Sequence, residues 1–239
     1  MGGALGRIVV LNSKGGCGKS TVATNLAAWY AVNHVPVALM DYDPQGSSSA
    51  WLKNRPSSCS PIYGVHAAKP TSPSVTRTWQ LGVPPETRHV IVDTPASIDN
   101  MQMLRFVEKV DAILIPVQPS APDIHAVTRF IERLLTVGKV RRSGIRVGVL
   151  ANRVKLNLAV YRGLLKFLTV LEFPLVAQFH DSHAYVHAMS QGLSVFELPN
   201  EHADCDQEQW RKLAEWLAAS AIDDDGRVDN DAHSTRSAF

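Results

Sequence analysis

Three cysteines in 239 residues, Cys17, Cys59 and Cys205, are odd in number and widely spaced, and no C-x-x-C pair stands ready for metal or redox work. Free thiols in a reducing compartment are the simplest account, so a soluble cytoplasmic protein is expected. Long apolar runs are missing as well. No stretch approaches the roughly 20 consecutive apolar residues of a membrane-spanning helix, and residues 1–12 do not show the charged region, apolar region and cleavage site of an export signal. Met1-Gly2-Gly3-Ala4-Leu5-Gly6 lacks the Ser or Thr of an acylation signal. No internal repeat or linker divides the chain.

What is present suits one α/β domain over residues 1–221, because 45% apolar content in 239 residues can bury a sizeable core. Short apolar runs, Arg7 to Asn12, Pro36 to Asp41, His89 to Asp93, Ala112 to Pro116, Arg146 to Asn152 and Leu175 to Ala177, alternate with helical patterns. Helices are expected near 20–33, 47–53, 100–109, 122–137, 158–171, 183–191 and 207–221. That alternation predicts a doubly wound, mostly parallel sheet flanked by helices, with ligands at the carboxyl ends of the strands. Residues 54–87, rich in Pro and Ser, predict loops, one short edge strand and a helix near 74–81. Residues 222–239, with Asp223, Asp224, Asp225, Asp229 and Asp231, read as a disordered acidic tail.

The first apolar run ends in Lys14-Gly15-Gly16-Cys17-Gly18-Lys19-Ser20-Thr21, and a helical pattern follows. A glycine-rich turn between strand and helix lets successive N–H groups converge on an anion, and the helix dipole adds partial positive charge. In such a phosphate loop Lys19 reaches the β- and γ-phosphates, Ser20 places its hydroxyl on Mg²⁺, and Thr21 touches the α-phosphate. Gly15, Gly16, Cys17 and Gly18 supply the cradle. The strict G-x-x-x-x-G-K-[ST] pattern fails at its first position, where Ser13 stands, and a second lysine, Lys14, precedes the glycines. Two further runs end in carboxylates, at Asp41-Tyr42-Asp43-Pro44-Gln45-Gly46 and at Asp93-Thr94-Pro95. Asp93 suits the carboxylate that holds Mg²⁺ through water. Asp41 and Asp43, two apart on an extended segment, are expected to share a face and point at the same site.

With its early lysine, the loop resembles the deviant Walker A motif of the ParA/MinD superfamily of P-loop ATPases. The resemblance implies that Lys14 reaches across a homodimer interface to ATP held by the other subunit, that Asp43 positions or activates the attacking water, and that Asp41 steadies the Mg²⁺ shell. Pro116-Val117-Gln118-Pro119-Ser120-Ala121-Pro122-Asp123 is similar to a turn of the small ParF-type partition ATPases. In that likeness, which spans roughly residues 7–217, Asn152 is the candidate for contacting adenine, Pro199-Asn200 a weaker one, and Ser194 to Glu197 falls in a late strand.

Charge separates the uses to which the superfamily puts ATP. Residues 129–166 carry ten bases against one acid, Glu132, whereas residues 201–239 hold 4 Lys/Arg and 10 Asp/Glu. Arg129, Arg133, Lys139, Arg141, Arg142, Lys155, Arg162 and Lys166 are therefore candidates for phosphate contacts with nonspecific DNA. The apolar stripe Trp210, Leu213, Trp216 and Leu217 is expected to be core, and the Asp-rich segment after it would be repelled by anionic lipid, so no membrane role is expected. The resemblance then implies a nucleoid-associated ATPase that partitions a plasmid or chromosome or positions a protein cargo, with hydrolysis stimulated by a ParB-like protein or cargo adaptor. An ATP-dependent biosynthetic enzyme activating a carboxylate, and a MinD-like membrane-associated regulator, are the alternatives.

Overall fold

A computed structural model describes residues 6–68, 82–140, 144–155, 159–171, 173–199 and 206–219. Seven strands form one sheet: β1 (Gly6–Val10), β2 (Val37–Asp41), β3 (Tyr63–His66), β4 (His89–Asp93), β5 (Ala112–Val117), β6 (Arg146–Val154) and β7 (Leu175–His180). Their spatial order is β3-β2-β4-β1-β5-β6-β7, and every pairing is parallel. Parallel neighbours cannot be joined by tight turns, so the chain crosses back through α1 (Lys19–Val32), α2 (Ser47–Asn54), α3 (Asn100–Val107), α4 (Ala121–Thr136) and α5 (Ala159–Leu171), followed by α6 (His183–Ser190) and α7 (Gln207–Ala219). These bounds agree with the sequence expectations to within two or three residues for most elements. The short edge strand expected within 54–87 is β3, which makes Asp93 the end of the fourth strand. The helix expected near 74–81 and the tail from 222 lie outside the described residues.

Strand periodicity divides the core. Val9, Leu11, Ile113, Ile115 and Val117 face a layer with Met103, Phe106, Phe130, Leu134, Leu164 and Leu168 from α3, α4 and α5. Ile8, Val10 and Leu114 face the opposite layer, where Leu26, Trp51, Ala188, Trp210 and Leu213 come from α1, α2, α6 and α7. The stripe on α7 is therefore core. β1 lies at the centre, and the chain leaves it toward β2 on one side and later returns to β5 on the other. A sheet that changes winding direction there opens a crevice at the carboxyl ends of its central strands.

The expected strand at Ser194 to Glu197 is not formed. Those residues turn instead, because side chains satisfy their backbone: Asn25 Oδ1 accepts the Val195 N–H at 3.0 Å and Glu197 Oε2 accepts the Ser194 N–H at 2.9 Å. Arg55, just beyond α2, closes the turn with a paired contact to Glu197 (2.5 and 3.0 Å), bonds to the Ser60 and Gly192 carbonyls, and a position over the Trp51 ring. Burial alone would raise the Glu197 pKa, but hydrogen bonds from Arg55 and Ser194 hold it below the ordinary carboxylate value. Since both side chains are at most 10% exposed, removing one strands the other. Arg55→Ala is expected to lower stability by about 3 kcal/mol or more in chemical denaturation, and Glu197→Gln in the Arg55→Ala background should recover part of that loss.

Candidate nucleotide site

The crevice is floored by the loop that follows β1. Gly18 caps α1 at φ 98°, a left-handed conformation open to glycine. Space requires glycine there too, because a Cβ on Gly18 would lie 2.0 Å from Asn152 Nδ2. Asn152, near the end of β6, donates that amide to the Cys17 carbonyl at 2.8 Å and accepts the Arg153 N–H on its Oδ1. Gln118, after β5, donates to the Gly16 carbonyl at 2.9 Å, and Asn12 Oδ1 accepts the Lys14 N–H at 3.1 Å. Strands β1, β5 and β6 thus hold the loop from three sides.

Lys19 opens α1 and is buried, its ammonium donating to the Lys14 carbonyl at 3.2 Å inside the loop. Lys14 faces outward with its side chain 37% exposed and makes a 2.5 Å ion pair with Asp123, a buried acid in the first turn of α4. Ser120, the N-cap of α4, donates its hydroxyl to the other Asp123 oxygen. Gly15 and Gly16 are exposed, while Ser20 and Thr21 are half-buried at the start of α1. Cys17 is 1% exposed with its Sγ donating to the Lys14 carbonyl, and burial raises the thiol pKa despite nearby Lys19. A filler of the loop is what the structure makes of it, without the lowered pKa that a helix N-terminus can impose.

The carboxylates are arranged differently from the expectation that Asp41 and Asp43 share a strand face. β2 ends at Asp41, whose Oδ1 accepts the Asp43 N–H at 3.0 Å and whose Oδ2 accepts the Ser49 N–H at 2.7 Å. Asp41 is fully buried and holds the turn and the start of α2, because an aspartate two residues back from an N–H closes an Asx turn more readily than the strand continues. Asp43 lies in that turn, half-buried, with Oδ1 on the Gln45 N–H and Oδ2 without a protein partner among the described residues. Ser49 Oγ meets His66 Nδ1 at 2.7 Å, tying the segment to β3.

Asp93 is 0% exposed at the end of β4, level with Asp41 in the register, and takes the Ser48 hydroxyl on Oδ2 at 2.7 Å. Its Oδ1 has no hydrogen-bond partner. Burial pushes its pKa up to about 6, and the Asp41 carboxylate adds to this, while the Ser20 and Ser48 hydroxyls and the Lys19 ammonium pull it down. A buried carboxylate oxygen with an open coordination position beside a phosphate loop fits Mg²⁺ brought in on a nucleotide. Asn12, Ser48, Gln118 and Asp123 are the positioning groups that sequence reasoning did not assign; only the turn motif around Gln118 and Asp123 pointed at two of them.

The basic run is less uniform than its sequence. Arg129, Lys139, Lys155, Arg162 and Lys166 are exposed. Arg133 is half-buried and keeps its charge while its guanidinium donates to Asn100 Oδ1 (2.9 Å) and the Ile98 carbonyl (3.1 Å), pinning α3 to α4. Lys155 lies 3.5 Å from Asp181. Arg141, Arg142 and Asn200 are outside the described residues. Among the described residues no helix is long and apolar enough to cross a membrane, and no cluster of His, Cys, Asp and Glu could hold a metal ion by itself.

Comparison with known proteins agrees with this geometry. Residues 8–195 match the CobQ/CobB/MinD/ParA nucleotide-binding domain. The maintenance of carboxysome distribution protein A of Halothiobacillus neapolitanus is 31% identical over 196 residues, covering 80% of this chain and 87% of that protein. The chromosome-partitioning ATPase Soj of Thermus thermophilus is 27% identical, covering 89% and 95%. The fold is shared with the Cyanothece McdA–ATP complex at a TM-score of 0.67 and 15% identity over 91% of this chain and 98% of that one. The chain belongs to the ParA/MinD family of nucleotide-binding proteins.

The raised Asp93 value carries a pH signature. The native carboxylate stays protonated while the unfolded one ionises, so the stability it contributes is fully present below about pH 4 and is lost as pH rises through about 6. Above that the charged, buried group costs about 3 kcal/mol. Asp93→Asn is therefore expected to raise the nucleotide-free melting temperature at pH 7.5 by roughly 6 °C, with the difference vanishing near pH 4 in calorimetry. Equal melting at pH 7.5 would mean that the carboxylate is relieved by some other group.

Proposed function

We propose that this chain is an ATPase of the partition and positioning type: it binds ATP with Mg²⁺ in the loop between β1 and α1, dimerises in that state, holds nonspecific DNA, and is released when a partner stimulates hydrolysis. The observation that carries the proposal is the contrast between two lysines of one loop. Lys19 is buried inside its own site, whereas Lys14 stands at the rim, its side chain partly exposed, on a salt bridge that ligand binding can replace. A lysine so placed suits the phosphates of ATP in a second subunit. The names of the relatives, in carboxysome distribution and chromosome partitioning, support cargo positioning as the use of the cycle.

ATP with its Mg²⁺ supplies the transferable phosphoryl group and neutralises charge on the β- and γ-oxygens. The rest falls to the chain. The N–H groups from Gly15 to Thr21 and the start of α1 bind the phosphates, Lys19 moves from the Lys14 carbonyl to them, and Ser20 with Asp93 holds the metal. Asp41 holds the turn, so its part in the metal shell is indirect, through Ser49 and the Asp43 N–H. Asp43 orients the attacking water through its free Oδ2. Asn152 is buried and already engaged by the loop and by the Arg153 N–H, so an adenine contact from it would compete with those bonds.

Asp43→Ala is expected to retain ATP binding in a titration while lowering phosphate release by about 10²-fold or more; hydrolysis at the native rate would remove Asp43 from the role. For DNA, Arg162→Glu with Lys166→Glu on α5 should weaken retention equally on unrelated sequences. Each lost phosphate contact lowers the slope of log affinity against log salt by about 0.9, so a slope unchanged by the pair would place the DNA elsewhere.

A further inference from the structure

α7 begins beside the carboxyl end of β7, where Asp206 accepts the His180 N–H at 2.7 Å, and runs toward the other edge of the sheet. There Trp216 packs under the Arg146 guanidinium, 3.9 Å from the ring centroid, and stands against Gly148, where a Cβ would meet it at 3.0 Å. Arg146 and Trp216, with Val140, Ile145, Phe173 and Pro174, line a cavity of about 310 Å³ at the amino-terminal ends of β6 and β7. This edge is remote from the phosphate loop, which lies at the carboxyl ends of the strands. Its floor is aromatic and aliphatic and its charge is positive: Arg146 over the cavity, Lys139 next to Val140, and Arg7, Arg88 and Lys109 at or just before the starts of β1, β4 and β5. The described acids beside them are Glu86, Glu108 and Asp111, with Glu215 of α7 paired to Arg211, and Asp111 already accepts the Arg7 N–H.

We propose that residues 220–239 of this same chain dock here, with Ile222 in the cavity and Asp223, Asp224 and Asp225 against Arg146 and Lys139. Three observations favour this occupant. The chain leaves α7 at Ala219, three residues after the tryptophan that forms the cavity wall, and the three residues from Ala219 to Ile222 span up to about 10 Å. Ile222 is the first large apolar residue of that segment and precedes three consecutive aspartates. The segment holds five Asp against Arg227 and Arg236, opposite in sign to the edge it would cover. An intramolecular ligand of this kind has a high effective concentration, so weak contacts suffice. Docking places the acids beside Lys139, one of the candidate DNA contacts, and so sets the tail in competition with nucleic acid.

Hydrogen exchange of the full-length chain without nucleotide or DNA tests docking independently of the proposed ATPase cycle. Amides of 145–148 and 213–219 are expected to exchange roughly fivefold more slowly in the native chain than in the Asp223→Asn, Asp224→Asn, Asp225→Asn variant at low salt. The difference should disappear near 0.5 M NaCl, where the screening length falls to about 4 Å, and in Arg146→Gln. Amides of α1 should not respond. Equal exchange in native and tail-variant chains would overturn the proposal, as would protection that grows with protein concentration, which would assign the cavity to the tail of a second copy.

Discussion

Asp41, Asp93 and Lys19 are buried at the carboxyl end of a sheet whose central strands are mostly apolar, and the surrounding structure is organised by the need to compensate them. Asp41 is fully compensated, with both oxygens on backbone N–H groups. Lys19 is half compensated by a carbonyl of its own loop. Asp93 keeps one oxygen with no partner, and burial lifts its pKa to about 6. A fold that leaves a buried carboxylate short of a partner is destabilised at that point, as expected of a site prepared for a ligand. The same deficit explains the density of hydroxyls nearby: Ser20 and Ser48 lower the cost without filling the position that a metal would take.

Much of this was legible in the sequence, for reasons that differ by element. β1, β4 and β5 are central parallel strands, so their continuous apolar runs stand out, and the glycines of the loop are demanded by local conformation. β3, an edge strand of four residues with an exposed Tyr63, has too little apolar patterning to be bounded in advance. The Ser194 to Glu197 turn is not legible locally because its determinants, Asn25 and Arg55, are more than a hundred residues away. Asp41 and Asp43 could be recognised as site residues by type, but the shared face failed because an Asx turn between them depends on an N–H that alternation cannot reveal. Among the bases, Arg133 is indistinguishable from Arg129 in sequence, and only its meeting with Asn100 and Ile98 shows that it also ties α3 to α4.

Asn152 shows how a single contact can serve two levels. Its amide approaches Gly18 so closely that no side chain fits between them, and so β6 fixes the position of a loop that begins at β1. With Gln118 on Gly16 from β5, the phosphate loop is referenced to three strands and not to its own backbone alone. A cradle held this way needs little rearrangement to receive phosphates, which keeps the ordering cost of binding low.

Lys14 brings the same economy to the longer range. Its ion pair with Asp123 ends on the first turn of α4, and Arg129 and Arg133 lie further along that helix, Arg133 holding α3 in turn. If phosphates draw Lys14 away, Asp123 loses its counter-charge while 5% exposed, leaving Ser120 as its only described side-chain partner. An uncompensated acid at that depth is costly enough to favour a shift of the α4 N-terminus toward solvent or toward a new cation. α4 thus meets the nucleotide loop through Asp123 and carries the exposed Arg129 along its length. A change at the Lys14–Asp123 pair is therefore felt first by the helix that carries Arg129.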